Sequence, residues 1–171
     1  EAVRHRLPMV HSPTRTREIS SLHDIAAQAD AFVFDAYGVL NIGEAAIPGA
    51  AQRLRELREI GCQIRILSNA ASYTHAGAMT KFQNLGMGVR DHEIITSRDA
   101  TLAHLDDRLW GCIAAPQDNL SDISAPTRRL VDDPISYDQV EGFVFLSTEV
   151  WSLDRQALLE TALLKRPRPV I

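Results

Sequence analysis

Apolar residues follow two different patterns along this chain, and the two patterns alternate. Short continuous apolar runs in the first half of the chain predict buried strands at 31–34, 62–67 and 94–95. Apolar residues three or four positions apart predict helices at 19–29, 50–60 and 75–85. Strands that alternate with helices across short connections predict a parallel sheet with right-handed crossovers. The pattern therefore predicts an α/β fold.

The second half of the chain has a less regular pattern. Apolar runs predict further strands at 110–115, at 142–146 and within 166–171. Helical spacing predicts a short helix at 101–105 and a longer one at 152–165. Ser97 or Asp99 is the candidate N-cap of the short helix, and Ser152 that of the longer one. The polar stretch 118–137, which contains two prolines, predicts a loop or an insertion.

Composition and charge exclude several classes of protein. The chain has 171 residues, of which 45% are hydrophobic and 23% charged, as in ordinary globular proteins. Its net charge of −4 argues against a nucleic-acid partner, which usually requires a basic face. No apolar run is long enough to span a bilayer, so we expect no membrane partner. Cys62 and Cys112 lie in apolar segments and predict buried free thiols of a reducing compartment, so we expect a cytoplasmic location.

The two ends of the chain differ from the rest. Residues 1–18 are locally basic and lack the apolar core of a secretion signal, so we expect a flexible N-terminal arm. The last residues begin an apolar run that stops at residue 171, and the first residue is Glu rather than Met. We therefore expect this sequence to be the N-terminal part of a longer protein.

The candidate chemistry lies where two predicted strands end. Asp35 directly follows the first apolar run, and Ser68 and Asn69 follow the second. Ligands of α/β proteins bind outside the carboxyl ends of parallel strands, so these side chains are placed to act together. Asp35 alone can also end a strand by bonding to turn amides, and Ser68 with Asn69 is ordinary turn chemistry. The six histidines form no close pair that favours zinc, and no P-loop or dinucleotide fingerprint occurs.

Four segments together resemble the haloacid dehalogenase superfamily of phosphatases. They are Asp-Ala-Tyr-Gly-Val-Leu at 35–40, Ile-Pro-Gly-Ala at 47–50, Ile-Leu-Ser-Asn-Ala at 66–70 and Ile-Thr-Ser at 95–97. The sequence looks most like the class in which a cap domain is inserted after the second motif. That class includes p-nitrophenyl phosphatases, phosphoglycolate phosphatases, and nucleotide and sugar phosphatases. The resemblance covers most of residues 24–171.

The resemblance implies a domain organisation and a class of substrate. It implies that residues 19–96 form the first part of a Rossmann-like, three-layer parallel-sheet core. It also implies that residues 97–171 form part of an inserted α/β cap domain, with the remainder of the core following the cap domain. The expected substrate is a small phosphorylated metabolite. Cap domains of this class often mediate dimerisation, so a homodimer through the cap domain is possible.

The resemblance also implies roles for individual residues. Asp35 would attack phosphorus and become a phosphoaspartate, and its carboxylate would bind Mg²⁺ together with the backbone carbonyl of Tyr37. Ser68 would donate a hydrogen bond to a phosphoryl oxygen, and Asn69 would help to orient the substrate. Gly38 is assigned to the phosphate site, although a turn glycine is its simpler explanation. The Lys and the acidic pair of the family's third and fourth motifs would follow the cap domain.

One position departs from the family pattern. Tyr37 stands where the phosphatases carry a second Asp, which protonates the leaving group and later activates water. A tyrosine can donate a proton but is a poor base at neutral pH, and losing such a group costs about 10²–10⁴ in rate. The alternative is therefore a pseudophosphatase that binds a phosphorylated ligand or a protein partner without turning it over. Tyr37 can also simply pack against the cap domain. A plain flavodoxin-like binding domain explains the sheet but not the second half of the chain.

Overall fold

A computed structural model describes residues 17–171 of the chain. Residues 1–16, on which most of the expected N-terminal arm falls, lie outside the described residues. The helices are α1 (His23–Ala26), α2 (Ala50–Glu59), α3 (His75–Asn84), α4 (Ser97–Leu102), α5 (Pro134–Asp138) and α6 (Leu153–Lys165). The strands are β1 (Ala31–Asp35), β2 (Asn41–Ile42), β3 (Ala45–Ala46), β4 (Gln63–Ser68), β5 (Ile94–Thr96), β6 (Trp110–Ile113), β7 (Thr127–Arg129) and β8 (Gly142–Phe145).

The first sheet has the strand order β1-β4-β5, and both of its strand pairs are parallel. Its connections pass through α2 and α3, as the alternating pattern predicts. One face of the sheet is buried in a core to which α2 contributes Leu54 and Leu57 and α3 contributes Phe82. The α/β fold class with a parallel sheet is therefore confirmed. β2 and β3 form a small antiparallel hairpin between β1 and α2.

The second sheet has the order β7-β6-β8 and is also parallel. It is covered on both faces, which explains why β6 and β8 are continuous apolar runs. One face packs Ile113 and Phe143 against α5 and α6, and the other buries Trp110 and Cys112. Near the end of the chain, Val170 forms a single parallel bridge with Phe143, where the sequence predicts a further strand.

Two predictions of secondary structure are wrong in the second half of the chain. The stretch 118–137 contains β7 and α5 rather than only loop, because Asp133 caps a helix whose first residue is Pro134, a position proline tolerates. The short helix begins at residue 97 rather than 101, since the Thr96 hydroxyl accepts a hydrogen bond from the backbone of Asp99. The N-cap is therefore Thr96, not Ser97 or Asp99, and the Asp99 carboxylate completes a capping box.

The other boundaries agree with the sequence pattern to within a few residues, except that α1 covers only part of the helix expected at 19–29. Ser152 caps α6 as predicted, and both cysteines are buried and free. Burial raises the pKa of the Cys112 thiol to about 11, which keeps it protonated and unreactive. No helix among residues 17–171 is both long and apolar enough to cross a membrane. The division into a core and a cap domain at residue 97 stays a prediction.

Candidate active site

Asp35 and Ser68 are the last residues of neighbouring parallel strands. In the β1–β4 register Asp35 is paired with Leu67, so Ser68 lies one residue further along the adjacent strand. Both side chains therefore occupy the carboxyl edge of the first sheet, as their positions in the sequence predict. Asp35 is exposed, and its Oδ1 accepts a 2.8 Å hydrogen bond from the backbone N–H of Ala36.

The turn after β1 presents Tyr37 to solvent. The Ala36 carbonyl accepts hydrogen bonds of 2.9 and 3.1 Å from the backbones of Leu40 and Asn41, which closes the turn. Gly38 has φ of +82°, a conformation that favours glycine, and its N–H donates a 2.8 Å hydrogen bond to the Asn41 carbonyl. The Tyr37 side chain remains 64% exposed. The conformation of this turn is a sufficient reason for a glycine at position 38, without any bound ligand. The assignment of Gly38 to the phosphate site stays a prediction.

A pocket of about 200 Å³ brings together three of the five predicted site residues, namely Tyr37, Ser68 and Asn69. Ser68 is half-buried, and its hydroxyl accepts a 3.3 Å hydrogen bond from the backbone of Ala70. A serine hydroxyl that accepts one bond still has a proton to donate into the pocket. Asp35 is not among the residues that line this pocket.

The same pocket contains two side chains that the sequence reasoning missed. Tyr73 and Lys81 line it, and the Lys81 Nζ lies 5.3 Å from the centroid of the Tyr73 ring. Lys81 also forms a 2.9 Å ion pair with Glu44. The signal for Lys81 was its place on α3, one turn after Ala78, which is buried on the face toward the site. Lys81 places a cation beside the candidate phosphate site.

The oxygen atoms near Asp35 have the chemistry that Mg²⁺ prefers. Within residues 17–171 no hydrogen bond is made to Asp35 Oδ2, and none to the backbone carbonyl of Tyr37. Both are hard oxygen donors, the type that binds Mg²⁺ in proteins. These two atoms therefore fit the metal by their type. In the part of the chain that the structure describes, no group of three or more His, Cys, Asp or Glu side chains could hold a metal ion.

Comparisons with known proteins agree with the sequence resemblance. The sequence model of the family described as "Haloacid dehalogenase-like hydrolase" matches residues 32–115. The human glycerol-3-phosphate phosphatase is 41% identical over 95 residues, which are 53% of this chain and 30% of that protein. Chronophin from the rat is 33% identical over 98 residues, or 57% of this chain and 32% of that protein. The matched regions therefore span about a third of these relatives.

Solved structures give the same fold. A possible sugar phosphatase of the haloacid dehalogenase superfamily from Cytophaga hutchinsonii has a TM-score of 0.75 at 21% identity. The alignment covers 91% of this chain and 58% of that one. At such identity the likeness concerns the fold alone. Because the alignment includes both sheets, the fold of the second half of the chain also has a counterpart in that structure.

Proposed function

We propose that the whole protein is a Mg²⁺-dependent phosphatase of a small phosphorylated metabolite, because the family model of the haloacid dehalogenase-like hydrolases matches residues 32–115. The observation that carries the proposal is the placement of Asp35 and Ser68 at the ends of adjacent parallel strands. The name of the human relative, a glycerol-3-phosphate phosphatase, supports a small phosphate monoester as the class of substrate.

Asp35 has the position and the exposure that a nucleophile requires. Its carboxylate oxygen would form a bond to phosphorus while the bond from phosphorus to the ester oxygen breaks. The leaving oxygen takes a proton, and water then attacks the phosphoaspartate, which releases inorganic phosphate and regenerates the carboxylate. The hydrogen bond from Ala36 to Oδ1 holds the carboxylate in one orientation and leaves Oδ2 free to attack or to bind a cation.

The neighbouring groups bind and neutralise the phosphate. Ser68 would donate its hydroxyl proton to a phosphoryl oxygen, and Asn69 would orient the substrate at the rim of the pocket. Asp35 and the Tyr37 carbonyl would hold Mg²⁺, which when bound neutralises the phosphoryl oxygens and lets a carboxylate approach a phosphate dianion. This cofactor is supported by a structure from Mycobacterium tuberculosis, which is named as a glycerol phosphate phosphatase in complex with magnesium. That structure has a TM-score of 0.61 at 15% identity, and the alignment covers 83% of this chain and 43% of that one.

Tyr37 is the feature that favours a second candidate, a pseudophosphatase that binds a phosphorylated ligand without hydrolysing it. Its phenol can donate a proton to a leaving group but accepts one poorly at neutral pH. The human glycerol-3-phosphate phosphatase is named as an enzyme, so it does not support this alternative. A homodimer and a cytoplasmic location stay predictions.

The test is phosphate release by the full-length protein from a panel of small phosphate esters, with Mg²⁺ and with EDTA. We expect metal-dependent release that disappears in Asp35→Asn. The matched control is Asp30→Asn, because Asp30 is an exposed carboxylate just before β1, at the opposite end of the same strand. Ser68→Ala should raise KM by about 10- to 100-fold, the cost of one hydrogen bond to a charged group. If the folded protein releases phosphate from no ester of the panel, the proposed phosphatase activity is refuted and the pseudophosphatase remains.

A further inference from the structure

Two further cavities continue from the pocket beside Ser68. A cavity of about 290 Å³ shares Asn69 and Ala70 with that pocket. It shares Ser72 and Ser147 with a cleft of about 470 Å³. The segment 69–72 therefore forms a continuous floor from the candidate phosphate site into the larger cleft. Whatever is attached to a bound phosphate has this space available to it.

The larger cleft has two polar walls that come from distant parts of the chain. One wall is Ser72 to Thr74 with Gly77, at the beginning of α3. The other consists of the loop 117–119 together with Ser147 and Glu149. Gln117 donates a 3.1 Å hydrogen bond to Glu149, which joins two parts of the second wall. The walls offer hydroxyl, amide and carboxylate groups, which suit a ligand that carries hydroxyls.

Arg98 lies behind both walls and is fully buried. Its guanidinium donates a 3.1 Å hydrogen bond to the carbonyl of Ala71, in the floor of the cavities. The same group forms paired hydrogen bonds to both oxygens of Asp118, at 2.6 and 3.2 Å, and to both oxygens of Asp122, at 2.6 and 2.7 Å. One side chain on α4 thus joins the segment 69–72 to the loop that contains Asp118.

The loop 117–123 depends on these carboxylates for its shape. Leu120 has φ of +57°, a conformation that is costly for a residue other than glycine. The Asp118 carboxylate accepts a 2.9 Å hydrogen bond from the backbone of Leu120, and Arg129 donates to the Asp118 carbonyl. The loop is therefore held in a strained form by a carboxylate that is itself held by Arg98.

Arg98 and Asp118 are stabilised in their ionised forms. Burial of Arg98 works to lower its pKa, but the hydrogen bonds that Arg98 donates to Asp122 and Asp118 outweigh burial and raise the pKa above its usual value. Burial likewise acts to raise the pKa of Asp118, and the hydrogen bond from Arg98 outweighs it and lowers the pKa. Removing either side of a buried pair leaves an uncompensated charge, so the geometry is strongly fixed.

We propose that Arg98 is a positioning residue of the candidate active site. Arg98 holds together the two walls of the cleft that would contact the part of the substrate beyond the phosphate. Arg98 acts through Asp118, Asp122 and the Ala71 carbonyl and does not itself contact the substrate. The class of ligand, a phosphate ester with a hydroxyl-bearing leaving group, rests on the proposed function. The coupling between the two walls of the cleft does not rest on the proposed function, and it is tested separately.

The first experiment measures the coupling without substrate, by hydrogen–deuterium exchange of the full-length protein. The variant is Asp122→Asn, because Asp122 is 26% exposed and asparagine keeps one acceptor oxygen for Arg98. The matched control is Glu93→Gln, which weakens the buried pair of Arg58 with Glu93 near the amino end of β4. We expect exchange to rise at least about tenfold in both 69–74 and 116–123 in Asp122→Asn only. Faster exchange in 116–123 alone would overturn the proposal.

The second experiment compares two primary alkyl phosphate monoesters that differ in the size of the leaving group, ethyl phosphate and sorbitol 6-phosphate. In Asp122→Asn we expect KM for sorbitol 6-phosphate to rise about tenfold while KM for ethyl phosphate and kcat change less than about twofold. An equal loss for both esters, or the same loss in Glu93→Gln, would mean a merely structural role. If the unchanged protein hydrolyses neither these two esters nor any other ester of the panel, the proposed function fails, and the exchange experiment still decides whether Arg98 couples the walls.

Discussion

The His75 Nδ1 lies 3.0 Å from the Asp99 Oδ2, which joins the first residue of α3 to the capping box of α4. On its other side the His75 Nε2 lies 3.1 Å from Asp91. The hydrogen bond to Asp99 raises the pKa of His75 above its usual 6.5, with a smaller contribution from Asp91, and burial opposes both. A protonated histidine between two carboxylates thus stabilises the contact between these two helices.

This arrangement predicts how stability depends on pH. Because the pKa of His75 is higher in the folded state, its contribution is fully present below the unfolded value of about 6.5 and is lost as pH rises through the folded value. His75→Gln should therefore lower the free energy of unfolding most at about pH 6 and much less at about pH 9. Since His75 is partly exposed, we expect a difference below about 1 kcal/mol. Urea unfolding at both pH values measures it.

The control for this prediction is His92→Gln, because His92 is exposed in the short 3₁₀ helix before β5. It should not reproduce the pH-dependent difference. Equal destabilisation by His75→Gln at both pH values would mean that the imidazole matters only by its shape and hydrogen bonds, not by its charge.

Substitution of Gly142 should destabilise the second sheet. A Cβ at this position would lie 2.5 Å from a ring carbon of Trp110, which is itself buried in the core. Gly142→Ala should therefore cost about 1–3 kcal/mol of unfolding free energy, as overpacked cores do. Trp110→Leu removes the clash, so the double variant should lose less than the sum of the two single variants. Additive losses in thermal or urea unfolding would contradict the contact.

The substitution Tyr37→Asp would restore a carboxylate two residues after Asp35. If the missing acid–base group limits turnover, Tyr37→Asp should raise the rate of phosphate release by about 10²–10⁴. Since Tyr37 is 64% exposed, the change should leave the stability nearly unaffected. Tyr37→Phe is the control, because it removes the hydroxyl and keeps the ring. A large loss of activity in Tyr37→Phe would instead make the phenol itself the proton donor.

The sequence alone was enough for the first sheet and for the placement of its candidate residues. Each strand there is a short apolar run, and each helix has apolar residues at helical spacing, so local pattern and final fold agree. Asp35 and Ser68 follow such runs directly, and parallel pairing then brings them to the same edge. The position of both residues at strand ends is confirmed, whereas their chemical roles stay predictions.

The tertiary structure decided what local pattern does not encode. β7 has the sequence Thr-Arg-Arg and is a strand only because it pairs with β6, and Arg129 there bonds the carbonyls of Ala114 and Ala115. Lys81 became part of the candidate site because α3 packs Ala78 and Phe82 into the core of the first sheet, which brings Lys81 to the pocket.

Arg98 illustrates the same limit most clearly. Its partners lie at positions 71, 118 and 122, and nothing in the sequence around residue 98 predicts a buried arginine. The spacing of apolar and polar residues indicates which side of each segment is buried and which side faces water. This information was sufficient to predict the strands, the helices and the residues at the strand ends. Which charges meet across distant segments depends on how the segments pack, and only the folded chain determines that.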